Sequence, residues 1–345
     1  AMPATPASLG YHMPAEWAPH ARCWMGFPCR AELWGGDAAL ATARRAYAAT
    51  AQAINQFEPV SMICAPQDEV TARQLCCSGI EIVPMPLNDS WLRDQGPTFL
   101  VDGSGKLAGV DWVFNCCGNL FPDYAEDAAL AKRILSHTDT PRLAAPFVLE
   151  GGSFHVDGEG TVLTTAQCLL HPNRNPHLTR ADIEQNLCDW LGVSKVLWLG
   201  NGLFDDHTDG HVDDIACFAK PGVVLAQRTD DPFDTNWPSW RDNAARLAEM
   251  TDAQGRKLEV ITLPAPAARF DDAPKKLRLA LSYINYYPAN GGLVIPCFDD
   301  PADAEALAIF REVFPDRQIV QVPALDILRG GGGIHCITQQ QPLGR

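Results

Sequence analysis

The chain has 345 residues, 46% hydrophobic and 20% charged, which is ordinary globular usage and excludes a disordered, collagen-like or coiled-coil chain. Lys and Arg number 27 against 42 Asp and Glu, for a net charge of −15. Such a surface repels nucleic-acid backbones and anionic membranes, and suits either cationic partners or plain solubility.

No run approaches the roughly 18 apolar residues of a membrane span. The opening stretch AMPATPASLGYHMPAEW has neither the basic start nor the apolar middle of a signal peptide. A soluble cytoplasmic protein is therefore expected, with residues 1–12 as a loose tail. Residues 38–57, Ala-rich and without internal Gly or Pro, read as a long helix after the Gly35-Gly36 break. Apolar or β-branched runs predict strands at 59–65, 80–83, 98–101, 161–165, 195–199, 212–218, 222–226, 293–297 and 319–322. Further helices are expected at 125–135, 179–191, 238–250 and 301–313. Thr179 is the candidate N-cap of one of them, with Asp182 three residues on. The alternation implies an α/β architecture, and without a linker it implies one domain over 1–345. Glycine clusters at Gly151-Gly152, Gly291-Gly292 and Gly330 to Gly333 hint at repeated units of no readable period.

The twelve cysteines contain no C-x-x-C spacing, which argues against a structural zinc site and for reduced core thiols. Cys336 differs, because it follows Gly330-Gly331-Gly332-Gly333-Ile334-His335. Glycines without Cβ suit a close approach of backbone or ligand, so this thiol is either a nucleophile or a core residue beside a flexible loop. On an extended chain His335 and Cys336 face opposite ways, so a base must come from elsewhere.

Between 205 and 214 five acids and two histidines cluster, ending in His211-Val212-Asp213-Asp214. On a strand His211 and Asp213 would share a face, as proton shuttle and carboxylate, as metal ligands, or as parts of a solvated acidic turn. Asn88 to Pro97 places Trp91 three residues before Asp94. That pattern fits either a planar-cation pocket or an Asx turn. Leu149 to Glu159 brackets Glu150, His155 and Asp157 with glycines and reads equally as site wall or hairpin.

Together these blocks resemble one family. MPAEWAPHARCWMGFP (13–28), NDSWLRDQGPTF (88–99), LEGGSFHVDGEGT (149–161), NRNPHLT (173–179), DGHVDDIACFAKPGVVL (209–225), NYYPANGG (285–292) and GGGGIHCITQQQP (330–342) are similar, in order, to the agmatine deiminases of the guanidino-group-modifying, or pentein, superfamily. The resemblance implies a five-bladed α/β propeller of pseudo-fivefold ββαβ repeats around a central channel. It implies Cys336 as nucleophile, His211 as proton shuttle, and Asp94 and Asp213 as the carboxylates gripping a guanidinium. It also implies Trp91 as an aromatic wall and a site lined by Glu150 and Asn285, with no metal or cofactor. The family often forms dimers or larger assemblies.

The acidic loop Asp205-Asp206 suits the terminal ammonium of agmatine rather than the carboxylate of arginine, although His207 stands where close relatives often carry an acid. The implied substrate is a small guanidino cation, with neither nucleic acid nor membrane as partner. The rivals are a free- or peptidyl-arginine deiminase, a metal-dependent hydrolase using residues 205–214, and a polyamine-binding protein without turnover.

Overall fold

The computed structural model describes residues 2–272 and 276–345. Among them five sheets form, and each repeats one pattern: an antiparallel pair, then a parallel strand reached through a crossover. The first sheet joins β1 (His20–Gly26), β2 (Val60–Cys64), β3 (Glu81–Pro84) and β16 (Thr338–Pro342). β16 pairs antiparallel with β1, and β1 pairs parallel with β2. Four three-stranded sheets follow: β4 (Thr98–Val101), β5 (Leu107–Val113) and β6 (Arg142–Val148); β7 (Phe154–Val156), β8 (Thr161–Thr165) and β9 (Lys195–Leu199); β10 (Ala216–Lys220), β11 (Val223–Arg228) and β12 (Glu259–Pro264); β13 (Tyr287–Ala289), β14 (Gly292–Cys297) and β15 (Gln318–Pro323).

Helices fill the crossovers, because a parallel connection needs a dozen or more residues. They are Asp37–Asn55, Leu130–His137, Arg180–Leu191, Trp237–Glu249 and Ala302–Val313. Arg180–Leu191 starts as its sequence predicts, on a full Thr179/Asp182 capping box, and stops at Gly192 in the left-handed region. Asp37–Asn55 turns Tyr47, Ala51 and Ile54 into the core. The expected helix 125–135 is broken into Ala125–Ala128 and Leu130–His137.

Three expectations fail locally. Residues 212–218 are not one strand: Val212–Asp214 is a single 3-10 turn and β10 begins at Ala216. Cys336 lies in a turn ahead of β16 rather than on a strand. Residues 1–12 are not a loose tail throughout, since Ala7–Leu9 form a 3-10 turn and His12 bridges Val101.

The core is several apolar clusters. One contains Met25, Tyr47, Ile54, Tyr283, Tyr287 and Ile337, which bring the N-terminal helix, the segment before β13 and the C-terminus together. All twelve cysteines are free. No described helix is long and apolar enough to cross a membrane.

Candidate active site

The short helix Leu92–Gln95, the turns Gly151–Ser153 and Val212–Asp214, and the segment before β16 meet at one point. Their meeting brings Asp94, His211, Asp213 and Cys336 together, each nearly inaccessible. Gly152 marks the centre. A Cβ there would lie 2.6 Å from His211 Nδ1 and 2.9 Å from both Asp94 Oδ1 and Asp213 Oδ2, so only a glycine lets these groups face one another. Its N–H donates to Asp94 Oδ1 at 2.8 Å.

Cys336 Sγ lies 3.7 Å from Asp213 Oδ2 and accepts from Asn285 Nδ2 at 3.3 Å. Asn285 Oδ1 accepts the N–H groups of His335 and Cys336, at 2.8 and 3.3 Å. Asn285 therefore braces the His335-Cys336 segment and is not among the residues that line the cavity. Behind Asp213, the Nδ1 of His335 sits 2.9 Å from Asp213 Oδ2, and its Nε2 sits 2.7 Å from Glu16 Oε1. Glu16 also pairs with Arg93 at 2.9 Å and with His155. Arg93 donates to the carbonyl of His335 and to Gln339 and Gln340 of β16. None of Glu16, Arg93, His155 and His335 was assigned a role from the sequence. Glu16 lies inside the family-like block 13–28, its only signal, while His155 lies in the glycine-bracketed stretch 149–159 that read equally as site wall or hairpin.

Glu150 does not line the cavity. Its Oε1 sits 3.0 Å from His211 Nε2 and receives Nε of Arg174 at 2.7 Å. It orients the imidazole so that Nδ1 turns toward Asp94 Oδ1, 3.9 Å away. Nδ1 of His211 and Oδ1 of Asp213 are both buried without a hydrogen-bond partner among the described residues. An unpaired buried polar atom costs roughly 1–3 kcal/mol, and an acceptor so placed is ready for a ligand's N–H.

Electrostatics follow from this crowding. Burial, then the charges of Asp213, Asp214 and Asp94, push the Cys336 thiol well above its ordinary range. Burial pushes Asp94 up to about 6, opposed by His211 and reinforced by Asp213 and Glu150. Burial opposes the His211 imidazolium, yet Asp94 and Glu150 are among the groups that outweigh it, and its pKa lies well above the usual value. Burial alone would raise Glu150, but Arg174 and His211 hold it at about 2. Carboxylates thus crowd the site, and a cation entering it would favour their ionised forms.

A cavity opens on this point, lined by Trp91, Asp94, His211, Asp214 and Cys336, with Phe114, Leu120 and Phe121 as apolar wall. Trp91 is held in place by stacking on Trp34, ring centres 5.8 Å apart and planes 22° off parallel. Asp205 and Asp206 do not line it. Asp205 accepts the N–H of Arg278, and Asp206 accepts from Thr208 and from the N–H of His211. Both carboxylates take part in the backbone of their own loop and its neighbour.

Among the described residues, 205–214 bring only His211 into a group of three metal-capable side chains. The one group of three metal-capable side chains among the described residues is Cys117, Glu150 and His211, where Arg174 already holds the carboxylate.

The family model of Porphyromonas-type peptidyl-arginine deiminases matches residues 12–342. The chain belongs to this family. A relative from Legionella pneumophila is 48% identical over 99% of this chain and 97% of its own length. The agmatine deiminase of Pseudomonas aeruginosa is 46% identical, covering 99% of this chain and 98% of that protein. Among solved structures, the agmatine deiminase of Enterococcus faecalis, described as catalysing its reaction, superposes with a TM-score of 0.94 at 38% identity. That match covers 99% of this chain and 98% of the other. The fold of this chain is thus that of the Enterococcus faecalis enzyme over nearly its whole length.

Proposed function

We propose that this protein hydrolyses agmatine to N-carbamoylputrescine and ammonia through a covalent adduct on Cys336. The observation that carries the reading is the convergence of the Cys336 thiol with two carboxylates, one of which, Asp213, has an unpaired buried acceptor oxygen, and with the unpaired ring nitrogen of His211. A planar cation with several N–H donors is the ligand such a set fits.

The guanidinium lies between Asp94 and Asp213 with Trp91 against its face, which brings its central carbon to Sγ. Its positive charge offsets the carboxylates that hold the thiol protonated, so substrate binding promotes loss of the thiol proton to solvent and leaves the thiolate that attacks it. The S–C bond forms, and a tetrahedral adduct results. His211, kept protonated by its carboxylates, gives its proton to the departing nitrogen as the C–N bond breaks, and ammonia leaves. Neutral His211 then takes a proton from water attacking the thiouronium carbon. The C–S bond breaks as the adduct's hydroxyl becomes the urea carbonyl, and the hydroxyl proton passes to the departing sulfur and restores the thiol. Glu150 and Arg174 position the imidazole, while the network of His335, Glu16 and Arg93 positions Asp213. The chemistry asks for no metal or organic cofactor.

We read the five sheets as blades of an α/β propeller forming one catalytic unit, with the site in its central channel; support comes from their common strand order. The product, a carbamoylated diamine, places the enzyme in polyamine formation. The reading is tested by ammonia release from agmatine, free arginine and an arginine-containing peptide, each with and without a chelator, for wild type and Cys336→Ala. It predicts release selective for agmatine, unaffected by chelation and absent in the variant. Preference for arginine or the peptide would leave the chemistry standing and overturn the substrate.

A further inference from the structure

Behind Asp213 lies a row of buried groups whose protons can be counted. The two ring nitrogens of His335 each face a carboxylate oxygen, Nδ1 at 2.9 Å from Asp213 Oδ2 and Nε2 at 2.7 Å from Glu16 Oε1. A carboxylate only accepts, whereas a neutral imidazole has one N–H and one lone pair. A neutral ring would therefore turn its lone pair on one of the two oxygens, and only the imidazolium donates to both. Glu16 has independent reason to be ionised, since it also pairs with Arg93 at 2.9 Å and with Nε2 of His155. The Nδ1 of His155 accepts the N–H of Phe218 at 3.1 Å, so that ring is neutral and its one proton serves Glu16. Arg93 and the His335 imidazolium then balance Asp213 and Glu16, charge for charge, among side chains that are all nearly inaccessible.

The other groups packed on the ring leave this count unchanged. Arg93 donates Nε to the carbonyl of His335 at 3.1 Å, and the ring of His155 is centred 6.5 Å away. Cys217 and Tyr286, which line the small cavity on this side together with Glu16, His155 and His335, are bonded to each other at 3.4 Å and kept neutral by burial. Burial and Arg93 oppose the imidazolium, yet Glu16 and Asp213 outweigh them and hold its pKa above the usual range.

On its other side Asp213 faces Asp94 across Gly152 and the Cys336 thiol, 3.7 Å from Oδ2. Of two carboxylates that face one another, one readily takes up a proton unless a cation intervenes, and a protonated Asp213 would not grip a guanidinium. We infer that His335 is a fixed imidazolium, a positioning residue that keeps Asp213 ionised and holds its Oδ2, so that Oδ1 stays open to an N–H of the substrate. The inference rests on the deiminase reading for what Asp213 grips, and adds to it the charge that makes the grip possible.

The first test is nitrogen-15 NMR of histidine-labelled wild type at about pH 8, where an ordinary histidine is neutral. Both ring nitrogens of His335 should be protonated, their resonances being assigned by their loss in His335→Asn or, should that variant not fold, through bonds from the backbone of residue 335. A neutral ring, with the proton on Asp213 instead, would overturn the inference. The second test is kinetic, because His335→Asn keeps an N–H where Nδ1 stood but removes the charge. The acid limb of its kcat/KM profile for agmatine should move up by at least about one pH unit, since the cation that held Asp213 ionised beside Asp94 is gone. At the plateau the loss should stay within about tenfold, the worth of one weakened hydrogen bond. A lowered plateau with the limb in place is what a merely structural role would give, and would overturn the inference. Glu16→Gln removes one of the ring's two anions, so the His335 nitrogens should titrate at lower pH than in wild type, and an unmoved titration would overturn it as well. Absence of agmatine turnover in wild type would overturn the deiminase reading, while the NMR result would still decide the charge of the ring.

Discussion

Replacing Asp94 by Asn should make the protein more stable and nearly inactive, with the stability gain depending on pH in a defined way. Asp94 is fully buried and held at about 6 instead of the ordinary 3.8. A difference of about two pH units, at about 1.4 kcal/mol each, means that its ionised form costs the fold about 3 kcal/mol. Because the pKa is raised, the folded state holds the proton more tightly than the unfolded state. The penalty is therefore fully present above pH 6 and is relieved as pH falls toward 3.8. Asn removes the charge while keeping an acceptor for the N–H of Gly152. Urea unfolding of wild type and Asp94→Asn at about pH 8 should show the variant more stable by up to about 3 kcal/mol, and at about pH 4.5 by about 1 kcal/mol. Activity should fall at least about 100-fold, since one of two guanidinium carboxylates is gone. A variant no more stable than wild type at pH 8, or a gain that does not shrink in acid, would refute the argument.

Two further substitutions test the supporting groups. Glu150→Gln removes the anion behind His211, so the imidazole's pKa falls and the alkaline limb of the kcat profile moves to lower pH. Arg174 keeps its contact with Asp209 at 2.8 Å, so the accompanying loss of stability, read by urea unfolding, should be about 2–3 kcal/mol, near the low end for a broken buried pair. Gly152→Ala puts a methyl group 2.6 Å from His211 Nδ1 and should lower kcat/KM by more than about 100-fold, with a smaller effect on thermal unfolding; steady-state rates within about tenfold of wild type would contradict the placement.

The elements legible in the sequence were those with local causes. The helix Arg180–Leu191 could be read from its cap and its closing Gly192, and β8, β9 and β14 from apolar runs. β16 could not. Its sequence Thr-Gln-Gln-Gln-Pro is polar yet wholly buried, because Gln339 and Gln340 accept from Arg93, far away in the chain. β7 and β13 are three residues each, too short for a periodic signal.

The site divides the same way. His211 and Asp213 were paired for a reason that fails, a strand face, yet the 3-10 turn still delivers both to Gly152. Asp205 and Asp206 were chosen for proximity and charge, but side-chain direction decided otherwise: Asp205 takes a left-handed backbone, with φ of 64°, and Asp206 caps its own loop. Glu16 and His335 are 319 residues apart, and only the fold could bring them together.

The central claim is a covalent bond between Cys336 and the substrate carbon. Its most direct test is acid quenching of wild-type enzyme during turnover of agmatine, followed by mass analysis of the intact chain and of the peptide that contains residue 336. The account predicts a species heavier by agmatine less ammonia, located on Cys336, absent from Cys336→Ser and lost when the enzyme is left to exhaust its substrate. Full turnover with no adduct under any quench, or an adduct on another cysteine such as Cys117, would contradict it.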